Sequence, residues 1–255
     1  MKRGYYLDID MDYFVQPIQK AAVDNIRIFK DYACTTEPAT PVIDRLAEAG
    51  LRWDKKNVHC FTNHKKSYTY WWMDKQKGYT VIHLDAHSDL YRNSEKDLRL
   101  LPNSEIGCYN YLWYAIRDGY TDEIYWVVPH SLKHMTSSSC AGEIINESLI
   151  TGVREDEIGL HIYFRCIDLE GMEKEIVLHV CLVEDLPVIA AECKRVTIAT
   201  SPEFIPSGAD ELVFELLECF GADDSLRQNV YRQHKDMLAK PEEEVEKAKR
   251  RLGLK

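Results

Sequence analysis

Residues 5–14, "YYLDIDMDYF", place Asp8, Asp10 and Asp12 at alternate positions among apolar and aromatic neighbours. In an extended strand successive side chains point to opposite faces, so these carboxylates would share one face and Leu7, Ile9 and Met11 the other. A core strand that lines up like charges needs a compensating charge nearby. Moving outward, the short apolar runs "VHCFT", "YTVIHLDAH", "EIYWVVP", "IVLHVCLV" and "VTIAT" alternate with helical patterns at 17–32, in "TPVIDRLAEAG", in "YNYLWYAIRDG" and in "SGADELVFELLECFG". This alternation predicts an α/β fold, three α/β/α layers around a mainly parallel sheet. Pro41 in the first turn and Gly50 after the end bracket the helix at 41–49. Residues 131–175 read as an irregular or hairpin insert turning at Glu170 and Gly171, and 240–255 as a charged C-terminal helix with a solvated face.

The 255 residues, 45% hydrophobic and 29% charged, suffice for a single domain with a real core. Eight scattered cysteines form no C-x-x-C pair, so they read as reduced core thiols rather than a zinc or redox site. A net charge of −10 argues against nucleic-acid binding, which needs a surplus of Lys and Arg. An acidic strand pattern begins where a leader peptide would carry its apolar run. No apolar run approaches the ~18–20 residues of a membrane span, so the expected compartment is the cytoplasm.

A second acidic strand end lies in "VIHLDAHSDL", residues 81–90. If it stays extended, His83, Asp85 and His87 share a face and Asp89 sits just beyond. In open α/β sheets ligands bind outside the carboxyl ends of the strands. Neither acidic cluster contains Arg or Lys, so a divalent cation is the best counter-charge. Imidazole and carboxylate together suit Mn, Fe, Zn, Co or Ni better than Ca or Mg. Two such ions sharing carboxylates, roughly 3.5–4 Å apart, would polarise a water for attack on a planar carbon. His64, 21 residues before Asp85 and just after "VHCFT", is placed to add a ligand from a neighbouring strand end. Asp8 is either a ligand or a group that orients one. His83 reads as a core or orienting histidine, and His130 and His134 as surface or loop residues. Tyr68, Tyr70, Trp71 and Trp72 read as helix core or as an aromatic wall for a substrate chain.

The D-A-H-S-D run at 85–89 resembles the D-x-H-x-D metal motif of the arginase and agmatinase superfamily, a cousin of the histone-deacetylase fold. "LDIDMDYF", "HLDAHSDL" and "SPEF" together are most similar to an arginase-like family that includes peptide arginases of ribosomal peptide maturation. The resemblance implies one arginase-like domain over 1–255 and two Mn2+ ions, other divalent metals being possible. It implies metal ligands among His64, Asp85, His87, Asp89, Asp8, Asp10 and Asp12, with the register open between Asp8/Asp10 and Asp10/Asp12. Asp85, Asp10 and Glu203 are the implied catalytic residues, and Glu203 and Ser201 the implied substrate-binding ones. The implied reaction converts arginine residues of a precursor peptide to ornithine and urea. The alternatives are amide hydrolysis, such as deacetylation, and a non-catalytic metal-stabilised peptide-binding domain. Ordinary arginases differ in three ways. Their D-x-D strand follows D-x-H-x-D, so the strand order here is permuted. Their guanidinium-gripping glutamate would fall near Ala199, which leaves Glu203 as the nearest carboxylate. Finally, "NSEIGCYNYL" supplies no proton-shuttling histidine.

Overall fold

The computed structural model describes residues 4–20, 22, 23, 26–28, 32–91, 93, 95–236 and 240–253. Its strands, in chain order, are β1 (Tyr5–Asp10), β2 (Val15–Gln16), β3 (Thr35–Thr36), β4 (Leu51–Arg52), β5 (Val58–Phe61) and β6 (Tyr79–Leu84). They continue with β7 (Thr121–Val127), β8 (Ile150–Glu155), β9 (Leu160–Ile167), β10 (Glu173–Cys181) and β11 (Ala191–Ala199). The helices are α1 (Ala39–Glu48), α2 (Lys66–Asp74), α3 (Tyr111–Arg117), α4 (Ala141–Ile144), α5 (Leu212–Cys219), α6 (Asp224–Asp236) and α7 (Glu242–Arg251). Nine strands form one sheet in the order β4-β11-β1-β6-β7-β10-β9-β8, with β5 also pairing β11. From β5 through β11, β1, β6 and β7 to β10 every pairing is parallel; only the β9 and β8 edge is antiparallel.

Strand alternation explains the layers. Leu7 and Ile9 of β1, Ile82 and Leu84 of β6, and Val196 and Ile198 of β11 pack against Ile43 and Leu46 of α1, Leu216 and Leu217 of α5 and Val230 of α6. On the opposite face Tyr6, Val81, Ile124, Phe164 and Leu178 meet Trp71 of α2, Leu112 and Trp113 of α3, and Ile144 of α4. The sheet is therefore buried on both sides, as mainly parallel sheets require. This is an α/β fold with a large, mostly parallel central sheet between helices.

One expectation changes. The helix expected at 17–32 is irregular in its described residues, where Val23 and Ile26 form only an isolated bridge; residues 21, 24, 25 and 29–31 lie outside them. Its apolar spacing instead serves a loop that buries Ile28 and Arg27. The chain expected as an insert at 131–175 runs through 3-10 turns and α4. It then extends the main sheet through β8, β9 and β10, the last two being the hairpin that turns at Glu170 and Gly171. The charged tail forms α7 with Val245 and Ala248 buried; residues 254 and 255 lie outside the described residues. All eight cysteines are free thiols, five of them buried. Among the described residues no helix is long and apolar enough to cross a membrane.

Ile198 is fully buried in the strand beside β1, whereas Val188 is 82% exposed. Ile198→Ala should cost about 2–5 kcal/mol in chemical denaturation and Val188→Ala no more than about 0.5 kcal/mol. Equal costs would contradict this core assignment.

Candidate metal centre

Four neighbouring parallel strands deliver the site. Register aligns Asp10 with Ala199, Ile9 with Leu84, and Ala199 with Phe61, so the carboxyl ends of β5, β11, β1 and β6 finish level. β1 stops at Asp10, whose Oδ1 accepts from Asp12 N (3.1 Å) and turns the chain into a 3-10 segment, Met11–Phe14. Asp12 thus enters the site from this turn rather than from an extended strand. β6 stops at Leu84, and Asp85–Asp89 coils over the strand end with Asp89 at φ +48°, a left-handed conformation rare outside glycine. Trp126 Nε1 donates to Asp85 O (3.0 Å) and secures that turn.

His64 lies three residues past β5. Its Nδ1 is 3.0 Å from Asp10 Oδ2, 3.0 Å from Asp85 Oδ2 and 3.1 Å from Asp89 Oδ2. It forms no hydrogen bond to any of them, and Asp89 Oδ2 is likewise buried without a hydrogen-bond partner. The other ring nitrogen, Nε2, is 3.1 Å from Asp8 Oδ2, an acceptor-only group, so Nε2 carries the proton. In a neutral ring the Nδ1 lone pair would face three carboxylate oxygens, a repulsion that either a second proton on the ring or a metal cation among them relieves. Ligand atoms held about 2.1 Å from one ion at right angles lie about 3.0 Å apart, which matches the observed spacing.

The same logic recurs at His87. Its Nε2 donates to Gln19 O (3.0 Å), leaving Nδ1 to face Asp12 Oδ2 at 2.9 Å and Asp85 Oδ1 at 3.5 Å. Asp85 thus offers one oxygen to each histidine. Asp10, His64 and Asp85 form one ligand-spaced group and Asp12, Asp85 and His87 another; His83, Asp85 and Asp89 form a third. The donor set fits a divalent ion with mixed imidazole and carboxylate ligands.

Asp8, with His64 and His83, makes a fourth such group, but its oxygens are already occupied. Ser67 Oγ and Thr197 Oγ1 donate to Oδ1, each at 2.6 Å, and Tyr111 OH donates to Oδ2 at 2.5 Å. Asp8 therefore stands behind His64 and orients it, while Asp10 and Asp12 face the convergence. His83 has acceptors at both nitrogens, Asp8 Oδ2 at 3.1 Å and His87 O at 3.3 Å, and is fully buried. Ser201, at φ +37°, donates its hydroxyl to Asp10 Oδ2 (2.5 Å). Glu203 is buried in the turn that follows, and Phe204 lays its ring against His87 at 4.9 Å. Ser67, Tyr111 and Thr197 belong to no motif. Their hydroxyls reach Asp8 only because α2, α3 and β11 pack around it.

The charges are strained accordingly. Burial, together with Asp10 and Asp85, pushes Asp12 well above the carboxylate range. Burial and Asp85 push Asp89 up to about 7. Burial opposes ionisation of Asp8 as well, yet His64 and His83 hold its carboxyl well below the usual range. For His64 and His87 burial disfavours the cation, but the carboxylates around them raise both well above the imidazole value. Asp12, Asp89, His64 and His87 thus bind protons more tightly than in water, whereas Asp8 binds its proton less tightly.

No protein-family model matches the chain, and no curated protein or solved structure does.

Because protons and a divalent ion compete for these ligands, metal affinity should climb between pH 6 and 8, by about tenfold per pH unit for each proton displaced. Calorimetric titration with Mn2+ in two buffers of different ionisation enthalpy measures both the climb and the proton release; a pH-independent affinity would contradict the ligand assignment.

Proposed function

We propose that the protein is a binuclear metal-dependent hydrolase acting on C–N bonds, a peptide arginase that converts arginine residues of a precursor peptide to ornithine and urea. The observation that carries the proposal is the convergence of Asp10, Asp85 and Asp89 oxygens on His64 Nδ1, with Asp85 shared toward His87 and Asp12. In this reading His64, Asp10, Asp85 and Asp89 hold one divalent ion, and Asp12, Asp85 and His87 hold the other, Mn2+ being the favoured metal. Ions bound there would activate water and polarise a planar carbon for hydrolysis.

The chain's own residues prepare that chemistry. Asp8 fixes the His64 ring so that Nδ1 faces inward, and Ser201 fixes the Asp10 oxygen. Asp85 and Asp10 are the proposed catalytic carboxylates, and Glu203, the carboxylate nearest in sequence to Ala199, is the proposed partner of a substrate guanidinium. The His87 side chain is 27% exposed while those of His64, Asp85 and Asp89 are no more than 6% exposed, so the cluster meets solvent at one end. A side open to solvent favours catalysis over a closed structural site, and so over a metal-stabilised binding domain. The substrate rests on the likeness of "LDIDMDYF", "HLDAHSDL" and "SPEF" to the arginase-like family. Amide hydrolysis is the second reading, favoured by the fully buried Ala199 where ordinary arginases carry their guanidinium-binding glutamate.

Mass spectrometry of separate arginine-containing and acetyl-lysine-containing peptides after incubation with Mn2+-loaded protein, with urea and acetate assayed, decides between the two, because deacetylation also lowers the mass by about 42 Da. Conversion to ornithine lowers the mass by about 42 Da per arginine, with urea released. Asp85→Asn should reduce turnover by at least about a hundredfold. Deacetylation alone, or unchanged turnover in Asp85→Asn, would overturn the proposal.

A further inference from the structure

A buried network outside the ligand cluster grips the turn that carries Ser201. Asp210, Arg27 and His234 are all nearly inaccessible and come from three separate segments. Arg27 Nη1 and Nη2 donate to Asp210 Oδ2 (3.3 Å) and Oδ1 (2.5 Å), and its Nε donates to Pro202 O (2.8 Å). His234 Nε2 lies 2.9 Å from Asp210 Oδ1 and its Nδ1 2.9 Å from Thr200 Oγ1. Lys235 Nζ adds a fourth contact to Asp210 Oδ2 at 2.8 Å. Burial holds His234 below the usual imidazole range; Asp210 pulls it up and Arg27 and Lys235 push it further down. His234 Nε2 also lies 3.2 Å from Arg27 Nη2, and in either tautomer Nδ1 and the Thr200 hydroxyl share one hydrogen bond.

The network thus holds Thr200 by its side chain and Pro202 by its carbonyl, the two residues flanking Ser201. Ser201 itself sits at φ +37°, a conformation that persists only where the surroundings over-determine it. That conformation delivers its hydroxyl to Asp10 Oδ2, the oxygen 3.0 Å from His64 Nδ1. We infer that Arg27, Asp210 and His234 are positioning residues that fix the aim of the Asp10 carboxylate through the strained Ser201 turn. The inference rests on the metal-centre reading of Asp10 and adds to it a support reaching from α6 and the Arg27 loop.

The test is a double-mutant cycle read by Mn2+ affinity, by the visible spectrum of the Co2+-loaded protein and by the thermal midpoint. Asp210→Ala would leave Arg27 and Lys235 facing a missing carboxylate and would test folding. Thr200→Val and Arg27→Lys are the informative variants. Thr200→Val removes one hydrogen bond; Arg27→Lys keeps the charge but loses the fork that spans Asp210 and Pro202. Each should weaken Mn2+ affinity about tenfold, the effect of one lost hydrogen bond, and shift the Co2+ bands. Ser201→Ala should do the same, and Thr200→Val added to it should cost nothing further, because both act through one contact. Additive losses, or variants with lowered midpoints but unchanged affinity and spectrum, overturn the clamp and leave the metal centre standing. A wild-type protein that binds neither ion overturns the metal-centre reading and the clamp with it.

Discussion

Four carboxylates, those of Asp10, Asp12, Asp85 and Asp89, are buried together at one end of a parallel sheet, and their mutual repulsion constrains everything around them. Among the described residues their partners within ion-pair distance are histidines, His64, His83 and His87. Burying a charge costs several kcal/mol unless it is paired, and one imidazole nitrogen cannot satisfy three oxygens. Burial and the neighbouring carboxylates raise the affinity of Asp12 and Asp89 for protons. A divalent ion answers the same electrostatic demand with better geometry, since each inward nitrogen has its proton drawn outward by Asp8 or by Gln19 O.

The sheet makes such a concentration affordable by being rigid where it ends. Parallel register brings β5, β11, β1 and β6 to a common level, and both faces of these strands are packed by helices. In the turns beyond, Asp89 and Ser201 carry strained backbone that aims side chains inward. Supports behind the ligands then come from every layer: Ser67 on α2, Tyr111 on α3, Thr197 on β11, and through Thr200 and Pro202 the buried Asp210, Arg27 and His234.

Much of this was legible along the chain. Apolar runs marked the core strands because burial on both faces leaves little room for polar residues, and the D-x-H-x-D and D-x-D spacings marked two strand ends. His64 was marked by its place just after a neighbouring strand and by the arginase-like resemblance. The role of Asp8 was not, because what separates it from Asp10 is the hydroxyls of Ser67, Tyr111 and Thr197, and these meet it only through tertiary packing. The irregular loop around Arg27 was misread as a helix because the pairing of Arg27 with Asp210 and Pro202 outweighs local periodicity. α6 was missed because its sequence is mostly polar, with Val230 and His234 alone buried.

Anomalous scattering from crystals grown with Mn2+ tests the central claim most directly. The account predicts a peak about 2.0–2.3 Å from His64 Nδ1 and from oxygens of Asp10, Asp85 and Asp89, with a second beside His87 and Asp12. A map with no peak among these residues, and the carboxylates turned away from His64, would contradict it.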